Sequence, residues 1–331
     1  MSRIVHTPLL VFGKVPARGD FIRSHHAPAL IQAIDRWMSR GIEALSADVR
    51  WPIVYDRAPP MRFAQLGARS TLGMAGCVVA SRDASGRRFP LMTAARLEVD
   101  EPLAFFARSP LALAGAWQRL EASALRIHGS DDAAPLLAEL AHATVEIDAA
   151  LAAHDLAMRD FLEHRSIEAL EAMLREGGHA EVNLRQCVLG LGLLLEPVLA
   201  QGLSRLDKGL AFPLPGDACD AALVASWWLD LIGGFLVRAD FELAVFMPAS
   251  SNAREGAMLR LGFEGSAPRT LQAMLDPAVG ADYFVDMRNA DWVEAATGSH
   301  HGLMKLSSYL AQGHLSLAQA AGTFKEVFLG A

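Results

Sequence analysis

Gly13-Lys14-Val15-Pro16-Ala17-Arg18-Gly19-Asp20-Phe21 follows directly on the apolar run Leu9-Leu10-Val11-Phe12. A short β-branched and aromatic run that ends in glycine predicts a strand leading into a turn. Pro16 restricts the backbone and Gly19 frees it, so the turn takes a definite, non-regular path. Three charges, Lys14, Arg18 and Asp20, lie within it. Two readings of the stretch stand side by side. It is an intramolecular clasp, with Asp20 the partner of Lys14 or Arg18, that fixes a strand-to-helix corner, or it is a loop that faces a ligand or a partner.

Working outward, the residues Leu30, Ile31, Ile34, Trp37, Met38, Ile42 and Leu45 recur at helical spacing, so a helix is predicted over Ala27 to Leu45. Pro28 suits its first turn, where a missing N–H costs nothing. Between Trp51 and Leu97 the texture changes to short runs: W-P-I-V-Y, M-R-F-A-Q-L, L-G-M-A-G-C-V-V-A and F-P-L-M-T-A-A-R-L. All four read as strand candidates. The last two flank the polar connection Ser81 to Arg88 and predict an antiparallel hairpin. Leu72 to Ala80 is apolar at nearly every position, as in a central strand covered on both faces.

From Pro102 to about Leu206 the chain is rich in Ala and Leu with helical periodicity. Breaks are expected at Pro110, Gly129-Ser130-Asp131, Pro135, Gly177-Gly178 and Pro197, giving four or five helices. A polar turn is expected over Phe212 to Asp220, then a helix through Trp227-Trp228. Further strands are expected over Phe241 to Met247 and Ala257 to Phe263, with a helix over Arg269 to Leu275. An amphipathic helix near Leu315 to Phe328 closes the chain. Strands, then helices, then strands again predict one α/β domain whose sheet is completed by distant parts of the chain. The expected architecture is a mixed, largely antiparallel central sheet flanked by helices. The helix-rich segment at about 102–206 is inserted into a domain of residues 1–280, and residues 281–331 form a helical extension.

The chain has 331 residues, 52% of them hydrophobic and 20% charged, enough apolar surface for a large core and too much for long disorder. A formal net charge of −7 argues against nucleic acid or anionic membrane as the main partner. Cys77, Cys187 and Cys219 lie far apart, each beside apolar residues, and read as reduced core thiols. No signal peptide is read at the N-terminus. No uninterrupted apolar segment is expected to span a bilayer, since Glu196 and Pro197 interrupt one candidate, and Asp230 with Gly233-Gly234 the other. A cytoplasmic protein is the expectation.

Catalytic and cofactor motifs are not found. Gly13-Lys14 is followed by Val15 and preceded by Pro8 where a phosphate loop needs its first glycine. Gly190-Leu191-Gly192 lacks the third glycine of a dinucleotide fingerprint. The eleven histidines show no H-E-x-x-H and the cysteines no C-x-x-C; His25-His26 and His300-His301 are adjacent pairs that diverge and read as surface residues. There is no G-x-S-x-G elbow. Asp131-Asp132 reads as a helix cap. No metal, nucleotide or other cofactor is therefore expected. The remaining polar groupings are Lys14/Arg18/Asp20, Asp83/Arg87/Arg88 and Asp217/Asp220. The arginines suit forked contact with a phosphate or carboxylate, or else a simple pairing of Arg87 or Arg88 with Asp83. Of Trp227 and Trp228, about 100° apart on a helix, one is expected in the core and the other at a rim, as a partner anchor.

Taken in order, G-K-V-P-A-R-G-D-F-I-R at Gly13 to Arg23, D-R-W at Asp35 to Trp37, M-R-F at Met61 to Phe63 and D-A-S-G-R-R-F-P-L at Asp83 to Leu91 resemble the TagF (also ImpM) family, accessory proteins of bacterial type VI secretion. Trp227-Trp228, the strand ending at Met247-Pro248 and the helix containing Leu271 to Leu275 look like that family's C-terminal half. The chain departs from the family in its additional helix between about Ser130 and Asp217 and its tail after Ala281. It also carries Pro60-Met61 where a tryptophan is expected. The resemblance implies an α/β sandwich without catalytic activity. It further implies a cytoplasmic, post-translational repressor that works by contact with a forkhead-associated scaffold, in a pathway opposed by a threonine kinase and helped by a phosphatase. Partner contacts are then expected at Lys14, Arg18, Asp20, Arg87, Arg88, Trp227 and Trp228. The alternative is a small anionic ligand, bound or turned over by Lys14, Arg18, Arg87 and Arg88.

Overall fold

A computed structural model describes residues 4–203, 205–249, 256–297 and 301–330. Strand β1 (Ile4–Gly13) leads through the loop at 14–21 to a two-residue strand β2 (Ile22–Arg23) and helix α1 (Pro28–Leu45). A short helix α2 (Trp51–Asp56) precedes three strands, β3 (Met61–Gly67), β4 (Leu72–Val79) and β5 (Leu91–Glu98). Helices α3 (Pro102–Ala112), α4 (Ala114–His128) and α5 (Ala134–Leu140) run to strand β6 (Thr144–Asp148). Next come α6 (Leu151–His164), α7 (Ile167–Glu176), α8 (Leu184–Gln201), β7 (Gly209–Leu214) and α9 (Ala218–Leu236). Strands β8 (Glu242–Pro248) and β9 (Ala257–Gly262) follow, then α10 (Pro268–Leu275), α11 (Pro277–Tyr283) and β10 (Phe284–Asp286). The chain closes on α12 (Val293–Thr297), α13 (His301–Leu310) and α14 (Leu317–Leu329).

Among the described residues the strands form one ten-stranded sheet in the order β10-β7-β9-β8-β3-β4-β5-β1-β2, with β6 added on β1. Each strand pairing is antiparallel except that of β10 with β7, so the sheet is mixed and largely antiparallel, as expected. The period-two alternation of the strands divides their side chains between two cores. Leu9, Val11, Ala64, Leu66, Cys77, Leu243 and Val245 point into one, beneath α3, α4, α8, α9 and α14. Leu10, Phe12, Phe63, Val78 and Phe246 point into the other, beneath α1, α2 and α10. At about 1.5–3 kcal/mol for each fully buried large side chain, a one-residue slip of any central strand would exchange these faces at prohibitive cost. The C-terminal residues join the first core through Leu306, Leu310, Leu317 and Phe324.

Several local expectations are corrected. W-P-I-V-Y is helix α2, not a strand: Pro52 lies in its first turn and its buried Tyr55 is fixed by tertiary bonds described below. The middle segment contains a strand, β6, besides its six helices. Pro110 and Pro197 lie inside α3 and α8 and break neither. At Pro110 the carbonyl of Phe106, deprived of its backbone donor, accepts instead from Ser109 Oγ at 2.9 Å. Phe212-Pro213-Leu214 belongs to β7, and the turn before α9 is correspondingly shorter. Asp217 caps that helix by accepting from the Cys219 and Asp220 N–H groups, and Asp132 accepts from the Ala134 N–H at the start of α5.

Helices α8 and α9 do have the length and apolar composition of a membrane span. Half of the α8 window and 72% of the α9 window are buried against the protein's own side chains. Cys77 and Cys187 are buried, and burial pushes both thiols up to about 12. Cys219, by contrast, is exposed rather than in the core. His300, and the side chain of His301, lie outside the described residues.

Candidate contact site

The loop after β1 begins with Gly13 at φ 131°, where a Cβ would lie 2.0 Å from the Pro90 carbonyl oxygen. Glycine is thus required by both the backbone angle and the approach of β5. The chain then turns on Arg18 N–H to Val15 carbonyl (3.1 Å), and the Ala84 N–H donates to the Arg18 carbonyl (2.9 Å). That second bond joins the loop to the β4–β5 hairpin, placing 13–21 and 81–89 against each other.

A clasp does hold this corner, with a different carboxylate from the one expected. Asp83, not Asp20, receives Lys14: Lys14 Nζ donates to Asp83 Oδ2 at 2.9 Å, with both side chains almost fully buried. Arg87 Nε donates to the same oxygen at 2.6 Å, and Oδ1 accepts from the Ser85 and Arg87 N–H groups at 2.9 Å each. Burial pushes the Asp83 carboxyl up, but the donors from Lys14, Arg87 and Ser85 outweigh it and hold the group well below the usual carboxylate range. Arg87 Nη2 also donates to the Gly19 carbonyl at 2.8 Å, closing the loop from outside.

The hairpin turn is tied to α2 as well. Tyr55 Oη donates to the Ser81 carbonyl (2.9 Å) and accepts from the Ser81 N–H (2.8 Å), while Ser81 Oγ donates to the Lys14 carbonyl (2.7 Å). Arg88 pairs with Asp56, its Nε and Nη2 donating to the two carboxylate oxygens at 2.8 and 2.6 Å. That forked bond lowers the Asp56 carboxyl and raises the Arg88 guanidinium. An aromatic triad of Phe12, Phe21 and Phe89 packs beneath the loop, with ring centroids 4.8–6.0 Å apart, and Lys14 Nζ lies 5.0 Å from the Phe21 centroid.

The expected contact residues therefore separate. Lys14 is a buried anchor. Arg87 and Arg88 are committed to Asp83 and Asp56, so Lys14, Arg18, Arg87 and Arg88 do not form a free anion-binding cluster. Arg18 and Asp20 are exposed, and neither side chain has a hydrogen-bond or ion-pair partner among the described residues. Trp227 and Trp228 are 1% and 0% exposed, so neither is a rim anchor. From Ala221 to Leu236 no residue of α9 is exposed, and Trp227 packs on Trp228, which stacks on Phe212. Sequence reasoning missed Phe21, 42% exposed at the loop's end, and the supporting pair Tyr55 and Ser81. The aromatic closing the quoted motif was a visible signal for Phe21; nothing local pointed to the Tyr55–Ser81 bonds.

No group of three or more His, Cys, Asp or Glu side chains placed to hold a metal ion occurs among the described residues. No curated protein matches the chain. Among solved structures it is similar to the crystal structure of PA0076 from Pseudomonas aeruginosa PAO1, at 17% sequence identity, covering 81% of this chain and 94% of that one with a TM-score of 0.44. A family model, the TagF N-terminal domain, described as type VI secretion system-associated, matches residues 11–143. That span runs from β1 to the start of β6 and includes the loop, the clasp and the α2 contact just described. The chain is thus type VI secretion-associated and TagF-like, matching the TagF N-terminal domain over residues 11–143.

Proposed function

We propose that the protein is a cytoplasmic, post-translational repressor of type VI secretion that acts by contact and has no catalysis of its own. Its partner is a forkhead-associated scaffold or another component of the apparatus, as the family resemblance implies. The observation that carries this reading is the division of the motif loop into two halves. Lys14 and Asp83 lock its inner half, while Arg18, Asp20 and Phe21 stand exposed on its outer half. A rigid loop presenting two unpaired charges and an aromatic edge loses little entropy on docking, which favours recognition by contact.

Deleting the gene in a host with the apparatus raises secretion, and overproduction lowers it without changing transcript levels. Arg18→Glu or Phe21→Ala abolishes repression and leaves the fold intact, each anchor contributing about 2 kcal/mol, roughly thirtyfold in affinity. Unchanged secretion on deletion under inducing conditions, with no apparatus component co-purifying, would refute the reading.

A further inference from the structure

The basic side chains that the clasp does not use converge on a cleft. A cavity of about 750 Å³ opens between the β1–β2 corner and α5, lined by Arg18, Phe21, Arg23, His25, His26 and Leu137 among others. None of its lining residues is acidic. Among the described residues, Arg18, Arg23, His25 and His26 have no carboxylate partner. In a chain of net charge −7, two guanidiniums without counter-charges, beside two imidazoles around one cavity, create a local field of opposite sign. His26 Nε2 is buried in this wall without a hydrogen-bond partner, an unmet polar group of a kind that folded proteins seldom keep. Leu137 and the half-exposed ring of Phe21 make part of the wall apolar.

The charge and shape define the ligand. Two guanidiniums and two imidazoles offer more N–H donors than the two oxygens of a carboxylate take up, whereas a phosphate monoester carries nearly two charges and three strong acceptor oxygens. The volume lies within the range of small-molecule sites, and such sites combine apolar walls with a few polar groups that orient the ligand. We propose that this cleft binds small organic phosphate monoesters with an apolar body. The phosphate is held among Arg18, Arg23 and His25, and the body lies against Phe21 and Leu137. This site is separate from the clasp, and its occupancy does not require a secretion partner.

Isothermal titration of the full chain at low salt with phenyl phosphate and with inorganic phosphate tests the proposal. Saturable one-to-one binding of phenyl phosphate is expected, tighter than that of inorganic phosphate. Arg23→Ala weakens phenyl phosphate binding by about tenfold or more, the loss of one charge-assisted hydrogen bond. Ala138→Glu, at an exposed position in the α5 wall, sets a carboxylate in the cleft and weakens binding without touching the core. Arg36→Ala, on the exposed face of α1 outside the cleft, leaves binding unchanged. Absence of saturable binding, or wild-type affinity in a folded Ala138→Glu variant, overturns the site. Inorganic phosphate binding as tightly as phenyl phosphate overturns the apolar part of the assignment, and an equal loss in Arg36→Ala reduces the effect to net charge and overturns it as well.

Discussion

Tyr55→Phe removes one oxygen atom and tests how α2 supports the motif loop. The Tyr55 side chain is 1% exposed, and its hydroxyl serves the Ser81 carbonyl at 2.9 Å and the Ser81 N–H at 2.8 Å. Ser81 itself is buried, and its carbonyl keeps the Phe89 N–H at 3.1 Å, so phenylalanine leaves one main-chain group, the Ser81 N–H, without a partner while keeping the ring's packing. At about 1–3 kcal/mol for a buried group left unsatisfied, the expected loss is about 1–3 kcal/mol. With roughly 2 °C per kcal/mol for a chain somewhat larger than 250 residues, the melting temperature falls by about 2–6 °C. Urea denaturation followed by tryptophan fluorescence gives the free energy directly, and an unchanged slope shows that the unfolded state is unaffected. Ser81→Ala serves as the comparison. It deletes only the 2.7 Å bond to the Lys14 carbonyl, keeps both Tyr55 bonds, and costs about 1–3 kcal/mol through that carbonyl instead. A Tyr55→Phe variant within about 0.5 kcal/mol of wild type would refute the reasoning, because Ser81 would then have found other partners.

Lys14→Met lowers the melting temperature more than Arg87→Ala, because the Arg87 side chain is 64% exposed and Lys14 is buried; the reverse order in thermal melts would show that the clasp is held from outside. Trp228→Ala costs about 3–5 kcal/mol in denaturant titration, as for other large core truncations, since its buried indole also donates to the Pro213 carbonyl at 3.2 Å. Stability falls as the medium is acidified. Burial lowers the imidazole of His179, whose Nε2 lies 3.0 Å from the Leu214 and Ala257 carbonyls, and burial also lowers that of His128. The unfolded chain takes up these protons at about pH 6.5 and the folded chain only at lower pH, so stability present above that value is lost through the window below it. Denaturation series across that window measure the slope, and His179→Asn flattens it, whereas an unchanged slope would show that His179 carries none of the effect.

Much of the fold was legible in the sequence because it follows from local periodicity. The alternation of Leu9 to Phe12 decided which of two cores each side chain enters, and the spacing from Ile31 to Leu45 decided a helix. The unbroken apolar run of β4 announced a central strand, and the motif at 13–23 carried the family. What tertiary structure decided was chiefly the choice among partners that are equivalent along the chain. Asp20 is six residues from Lys14 and Asp83 is sixty-nine away, yet the hairpin brings Asp83 into the interior, where an unpaired Lys14 would be costly and a surface pairing with Asp20 would contribute little. W-P-I-V-Y has the composition of a strand, but its tyrosine reaches Ser81 from a helix. Trp227 and Trp228 diverge on any helix, and only the burial of α9 from Ala221 to Leu236 removes both from the surface. Periodicity is a property of neighbours in sequence, whereas charge pairing and burial depend on which distant segments share a low-dielectric interior.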